Sequence, residues 1–194
     1  MGVMLSATDS LNWLSGITGR SPQALTEALG ANLRDPGDVR FLPYLSGERT
    51  PHNDAEIRGS FTGLGTGTTV EDLTQAVLEG VSLGLRDSFE ALKDTDAKLD
   101  RLMAIGGGAA SDYWLDLIAT VLDVPLDLPK DSEFGAALGA ARLGILAATD
   151  ADPERVITPP KIGRTIEPNP SLTADFHTAY QSFCAAYPLI KSAQ

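Results

Sequence analysis

The stretch Leu102-Met103-Ala104-Ile105, followed by Gly106-Gly107-Gly108 and then by Ser111 to Leu122, constrains the fold more than any other part of the sequence. Four consecutive apolar residues bounded by glycine have the pattern of a buried strand, and Ser111 suits the start of the helix that follows. Strand, glycine turn and helix in that order form the unit of α/β domains, and such sheets bind ligands outside the carboxyl ends of their strands. A turn without side chains lets backbone N–H groups come within hydrogen-bond distance of a phosphate at the positive end of a helix. An ordinary tight turn explains the same residues, because the run is neither a G-x-G-x-x-G fingerprint nor a Walker loop with its lysine. Ser111 fits a helix cap and Asp112 a favourable first-turn charge. A carboxylate there repels phosphate, so any ligand role of Asp112 is directed towards ribose or adenine.

The remaining pattern alternates helices and strands. Apolar residues from Val3 to Ile17 predict a helix over Met1 to Thr18, and Ser21-Pro22 caps and opens a second over Gln23 to Leu29, giving a helical lead-in over residues 1–34. An α/β core is expected over 35–150, with short strands at Arg40 to Tyr44, Gly59 to Leu64 and Val124 to Leu128. A long, centrally buried helix is predicted from about Val70 to Leu92, capped by Thr68 or Thr69. Glu133 to Ala148 reads as a helix whose Gly135, Gly139 and Gly144 permit close approach to another backbone. Residues 151–194 read as a Pro-rich connector and a closing helix whose stripe of Phe176, Tyr180, Phe183 and Tyr187 ends at Pro188.

Composition narrows the function. With 194 residues, 43% of them apolar, one compact domain is expected. No run approaches the roughly 18 apolar residues of a membrane span, the N-terminus has no signal-peptide pattern, and a cytoplasmic protein without membrane contact is expected. The lone Cys184 reads as a small apolar filler in a reducing compartment. A net charge of −11 disfavours nucleic acid as a partner, and an anionic ligand has to be held by local backbone groups. With two histidines and one cysteine no protein metal site is expected, and no nucleophile elbow supports a serine hydrolase. Trp13 and Trp114 fit core positions. Gly63 to Thr69 reads as a turn, and the exposed loop Leu45 to Arg58 gathers Glu48, Arg49 and His52 as an ion-pair latch or part of an active-site wall.

Three segments together resemble the FGGY carbohydrate kinase family, and within it the xylulokinases. The first is Phe41-Leu42-Pro43-Tyr44-Leu45-Ser46-Gly47-Glu48-Arg49-Thr50-Pro51-His52. The second is Gly59-Ser60-Phe61-Thr62-Gly63-Leu64, then seven residues, then Asp72-Leu73-Thr74-Gln75-Ala76-Val77-Leu78-Glu79. The third is the glycine run with Glu133-Phe134-Gly135-Ala136-Ala137-Leu138-Gly139-Ala140-Ala141. The resemblance implies an actin-like ATPase (ribonuclease H-like) α/β fold with a mixed central sheet flanked by helices. It implies that this chain is the C-terminal, nucleotide-binding domain of a kinase using ATP and Mg²⁺.

By the same resemblance Gly107, Gly108 and Ala109 approach the ATP phosphates, Gly106 belongs to the same nucleotide site, Ser111 or Asp112 lies by the nucleoside, and Thr8 and Asn12 line the pocket; the loop's own residues leave Glu48 and Arg49 as a candidate cleft wall. The acceptor implied is D-xylulose, bound through an N-terminal domain that also supplies the catalytic aspartate and that nothing in this sequence matches. The chain then reads as a fragment, a separately expressed half or the product of a broken gene. Alone it is expected to be inactive, because half a cleft leaves the γ-phosphate and the acceptor hydroxyl unaligned. A non-catalytic nucleotide-binding module and a kinase half for another sugar or polyol are the rival readings. An uncovered interdomain surface is expected to promote self-association or a homodimer.

Overall fold

The computed structural model describes residues 1–93, 95, 99–130 and 135–194. Helix α1 (Ala7–Thr18) is shorter than predicted, since residues 1–6 are irregular. The Val3 N–H donates to Thr50 Oγ1 at 3.0 Å, the Thr50 N–H to the Val3 carbonyl at 3.0 Å, and the Leu5 N–H to Glu48 Oε1 at 3.2 Å. These tertiary bonds take up backbone groups that another helical turn would need. Helix α2 (Pro22–Glu27) follows as expected, with the Ser21 hydroxyl accepting the Ala24 N–H at 3.2 Å.

Strand β1 (Arg40–Leu42) pairs antiparallel with β2 (Ser60–Thr62), placing Phe41 opposite Phe61. Helix α3 (Val70–Lys93) starts with a reciprocal cap: Asp72 N–H donates to Thr69 Oγ1 at 3.2 Å and Thr69 N–H to Asp72 Oδ2 at 2.8 Å. Every residue from Thr74 to Gly84 is buried, so α3 is the axis of the molecule, as its all-round apolar pattern predicted. Gly80 is required there because a Cβ would run into the Phe41 carbonyl of β1.

Strand β3 (Leu102–Met103), a 3₁₀ turn over Gly107–Ala110 and helix α4 (Asp112–Leu122) realise the predicted strand, turn and helix. Strand β4 (Leu126–Pro129) runs parallel to β3, and β5 (Ile162–Ile166) antiparallel to β4, making a mixed sheet of order β3-β4-β5. Leu115 and Ala119 of α4 cover Leu126 and Leu128 on one face of it. Arg101 ties the three strands, donating to Asp127 at 2.6 Å and to Thr165 at 3.0 Å. Its guanidinium, and then the Thr165 hydroxyl, hold the Asp127 carboxyl down at about 2. Strand β5 was not predicted; it lies inside the connector, where the flanking prolines mask the alternation of Ile162, Arg164 and Ile166.

Further expectations are corrected. The Leu102–Ile105 strand is not buried throughout: it forms the sheet edge, with Met103 47% and Ile105 53% exposed. In helix α5 (Gly135–Ala148) no residue is buried, and Gly139 and Gly144 face open space; only Gly135 makes a close approach, to Ile105 Cδ1. The predicted start of that helix at Glu133 and Phe134 lies outside the described residues. After the short α6 (Pro153–Val156), helix α7 (Thr173–Ala193) does not end at Pro188. Proline forfeits one N–H there, while Lys191 Nζ at 2.7 Å from Asp54 and Gln194 Oε1 accepting the Arg58 N–H at 2.8 Å hold the last turn.

The Leu45–Arg58 loop is not simply exposed, because Gly47, Glu48 and Ile57 are buried. His52 stacks on Tyr187 of α7 at 3.6 Å, with its Nε2 3.2 Å from the Tyr44 hydroxyl and 3.4 Å from Asp87 Oδ2. Asp87 also accepts from Tyr180 at 2.9 Å and from the thiol of half-buried Cys184. Phe176 and Phe183 are fully enclosed, and burying such side chains is worth roughly 1.5–3 kcal/mol each. Among the described residues no helix is long and apolar enough to cross a membrane.

Candidate functional site

The glycine turn owes its shape to Gly106, whose φ of 89° and ψ of −176° are accessible essentially only to glycine. The Ala109 N–H donates to the Gly106 carbonyl at 3.0 Å, closing the turn. Gly107 and Gly108 open the 3₁₀ helix, where N–H groups have no carbonyl behind them within the helix. A Cβ on Gly107 would meet nothing within 4 Å, whereas one on Gly108 would lie 3.5 Å from Thr8 Oγ1 and 3.7 Å from the Trp114 ring. Ser111 then caps α4, its hydroxyl accepting the Trp114 N–H at 3.3 Å. Trp114 is fixed in turn by its indole N–H, which donates to Ser82 of α3 at 3.2 Å.

This turn divides two cavities. On one side is a groove of about 870 Å³ between α1, α2 and the start of α4. It brings together Thr8, Asn12, Gly107, Gly108, Ser111 and Asp112, six residues singled out in the sequence. On the other side is an apolar cavity of about 470 Å³ between the turn and α3, lined by Gly106 and Ala109 as well as by Gly107, Gly108 and Thr8. The eight candidate residues are therefore contiguous, with the glycines as the shared wall.

The electrostatics of the groove are uneven. Asp112 forms an ion pair with Arg164 of β5, which holds its carboxyl below the ordinary range. Asp116, one helical turn on, is pushed up by burial first and by the Asp112 charge second. With Glu27 also on the wall, the α4 and α2 side is acidic, and the side-chain-free turn is the part suited to an anion. Asp116 was legible as the residue four beyond Asp112 on one helical face. Arg164 carried no signal, because nothing in the sequence marks the connector as a strand.

Glu48 and Arg49 line neither cavity. Glu48 is only 3% exposed, and its Oε1 accepts the N–H groups of Leu5 at 3.2 Å and Arg49 at 2.7 Å, while the Arg49 side chain is exposed. Burial pushes the Glu48 carboxyl up. Within this chain Glu48 thus clamps backbone at Leu5 and Arg49. Among the described residues no group of three or more His, Cys, Asp or Glu side chains is gathered to hold a metal.

Residues 6–148 match the family model described as the FGGY family of carbohydrate kinases, C-terminal domain. Xylulose kinase of Escherichia coli strain K12 is 42% identical over 150 residues, 76% of this chain and 31% of its own length. Glycerol kinase of Myxococcus xanthus strain DK1622 is 41% identical over 144 residues, 73% of this chain and 29% of its own. The crystal structure of a xyloylose kinase from Brucella ovis matches at 52% identity with a TM-score of 0.92, covering 100% of this chain and 40% of that one. The chain spans about a third of the length of these curated relatives. The mixed sheet flanked by helices is the ribonuclease H-like α/β arrangement that FGGY kinases share. Glycine turn, capped α4 and central α3 all fall within the matched residues, and this chain belongs to the FGGY family of carbohydrate kinases, whose C-terminal domain it carries.

Proposed function

We propose that the chain is the ATP-binding half of a sugar kinase that phosphorylates D-xylulose to D-xylulose 5-phosphate, with sugar contacts and the catalytic aspartate supplied by an N-terminal domain. The observation that carries the reading is the groove in which the glycine turn faces Thr8 and Asn12 of α1. The Gly107 and Gly108 N–H groups receive the phosphates of ATP, with Gly106 and Ala109 shaping their approach. Ser111 and the acidic wall of Asp112 lie towards ribose and base, where a carboxylate accepts hydrogen bonds from hydroxyls instead of repelling phosphate. Mg²⁺ enters on the phosphates, since phosphate oxygens, waters and one or two carboxylates satisfy its six positions. The transfer itself needs the acceptor hydroxyl held in line with the γ-phosphorus, and this chain supplies the nucleotide side of that alignment. D-xylulose is favoured over another sugar or polyol by the names of the Escherichia coli and Brucella ovis relatives. Self-association of the isolated chain through the exposed apolar residues of β3 and α5 belongs to the same reading.

The test is calorimetric titration with Mg-ATP of the chain and of its Gly107→Asp variant, whose Cβ meets no neighbour within 4 Å and which sets a carboxylate against the phosphates. Binding is expected, weakened about tenfold or more in the variant by like-charge repulsion. Adding the N-terminal half of a xylulose kinase is expected to restore turnover of D-xylulose. Binding without turnover would instead support a non-catalytic nucleotide module. Equal binding by Gly107→Asp would remove the groove from consideration.

A further inference from the structure

Residues 3–5 enter α1 along the backbone of residues 48–50, to which they are tied by the hydrogen bonds of Val3 with Thr50 and of Leu5 with Glu48. The clamp is anchored on both sides. Glu48 exchanges backbone hydrogen bonds with Asp54, each 2.8 Å, and the Thr50 carbonyl accepts the Ser88 hydroxyl of α3 at 3.2 Å.

Further along, α1 is held by Leu11 and Leu14, which are buried in the core against α3, but its first turn has no such anchor in its side-chain cap. Ser6 stands at the N-cap of α1 but makes no capping bond with its side chain, and its buried Oγ has no protein partner. The entry into the first turn of α1 is therefore tied from outside the helix, at Leu5. Three residues later Thr8 faces Gly108, and one turn after that Asn12 reaches the same groove. Glu48 itself does not line the groove, yet burying a carboxylate costs stability unless its acceptors are used. One of its oxygens accepts two backbone N–H groups, and the other, Oε2, is buried without a partner.

We infer that Glu48 is a positioning residue for the nucleotide groove, its buried carboxylate setting the start of α1 and through it the placement of Thr8 and Asn12 opposite the glycine turn. The inference rests on the nucleotide reading of that groove. A side chain serving only the stability of the loop would act at residues 46–54 and stop there. A positioning carboxylate acts across α1 on a site it does not touch.

The experiment compares wild type, Glu48→Ala and Glu48→Gln by amide NMR and by Mg-ADP affinity, well below the unfolding temperature of each. Glu48→Ala is expected to shift the amide resonances of Thr8, Asn12 and Gly108, to speed their hydrogen exchange and to weaken Mg-ADP about tenfold, the scale of one charge-assisted hydrogen bond. Glu48→Gln keeps an acceptor for the Leu5 N–H and is expected to restore both readings to within about twofold. If Glu48→Ala does not fold, Thr50→Val, which removes the acceptor of the Val3 N–H, is expected to shift the same resonances by less. Shifts confined to residues 3–5 and 46–54, with unchanged affinity, would overturn the inference. Should the wild type not bind Mg-ADP, the nucleotide reading falls by itself; shifts at Thr8 and Gly108 then still support the coupling, and their absence ends it.

Discussion

Helices α3 and α5 are both rich in apolar residues, yet all of Thr74–Gly84 in α3 is buried and no residue of α5 is. The sequence of α5, GAALGAARLGILAA, has a single charged residue, Arg142, and would suit the centre of a domain better than α3 does. The difference lies in what stands opposite. Around α3 the chain supplies β1, α1, α4 and α7, and Gly80 lets β1 lie directly on the helix. Near α5 it supplies α6 and the tip of Ile105, at a sheet edge whose Met103 is itself exposed. Apolar composition states that a helix can be buried; the neighbouring elements decide whether it is.

The largest expected effect falls on the α3 side. Phe183→Ala removes a ring that is 1% exposed and is expected to cost about 3–5 kcal/mol by urea denaturation. Leu143→Ala in α5, 64% exposed, is expected to stay within about 0.5 kcal/mol. Equal costs would break the comparison. Between these lies Gly106→Ala, expected to cost about 1–3 kcal/mol because its backbone angles exclude a Cβ, although nothing crowds the site. A readout on α5 itself is association: sedimentation velocity over rising concentration is expected to show self-association that Ile105→Lys with Leu143→Lys abolishes. A monomer at every concentration would mean that the exposed apolar residues are too dispersed to act as a surface.

The same contrast explains what the sequence disclosed. Elements whose partners are local were legible: the Ser21 and Ser111 caps, the α3 cap at Thr68 or Thr69, which the structure places at Thr69, the aromatic stripe of α7 and the glycine turn each follow from residues within a few positions. The candidate site was legible for the same reason on the turn, where missing side chains are themselves the signal. What escaped depends on distant partners. Residues 1–6 are drawn out of a helix by residues 48–50, β5 exists because β4 offers it an edge, and Glu48 accepts the backbone N–H of Leu5. The charges gathered in its loop drew attention to Glu48, but only the fold shows that it grips the segment leading into α1.

A small effect, far below that of the α3 core, is expected at the ion pair between Arg164 of β5 and Asp112 of α4. Both side chains are substantially exposed, at 49% and 69%, so Arg164→Ala is expected to cost less than about 1 kcal/mol at neutral pH and less again in high salt. The pH dependence has a definite sign. Arg164 holds the folded-state carboxyl of Asp112 below its unfolded value of about 3.9, so the pair's contribution is present above that pH and is lost as pH falls through the depressed value. The gap in urea midpoint between wild type and Arg164→Ala is therefore expected to be constant from neutral pH to about 5 and to close in more acidic solution. A gap that persists in acid would assign the cost to lost packing of the Arg164 stem on the sheet, and a cost as large as that of Phe183→Ala would place β5 within the body that α3 organises.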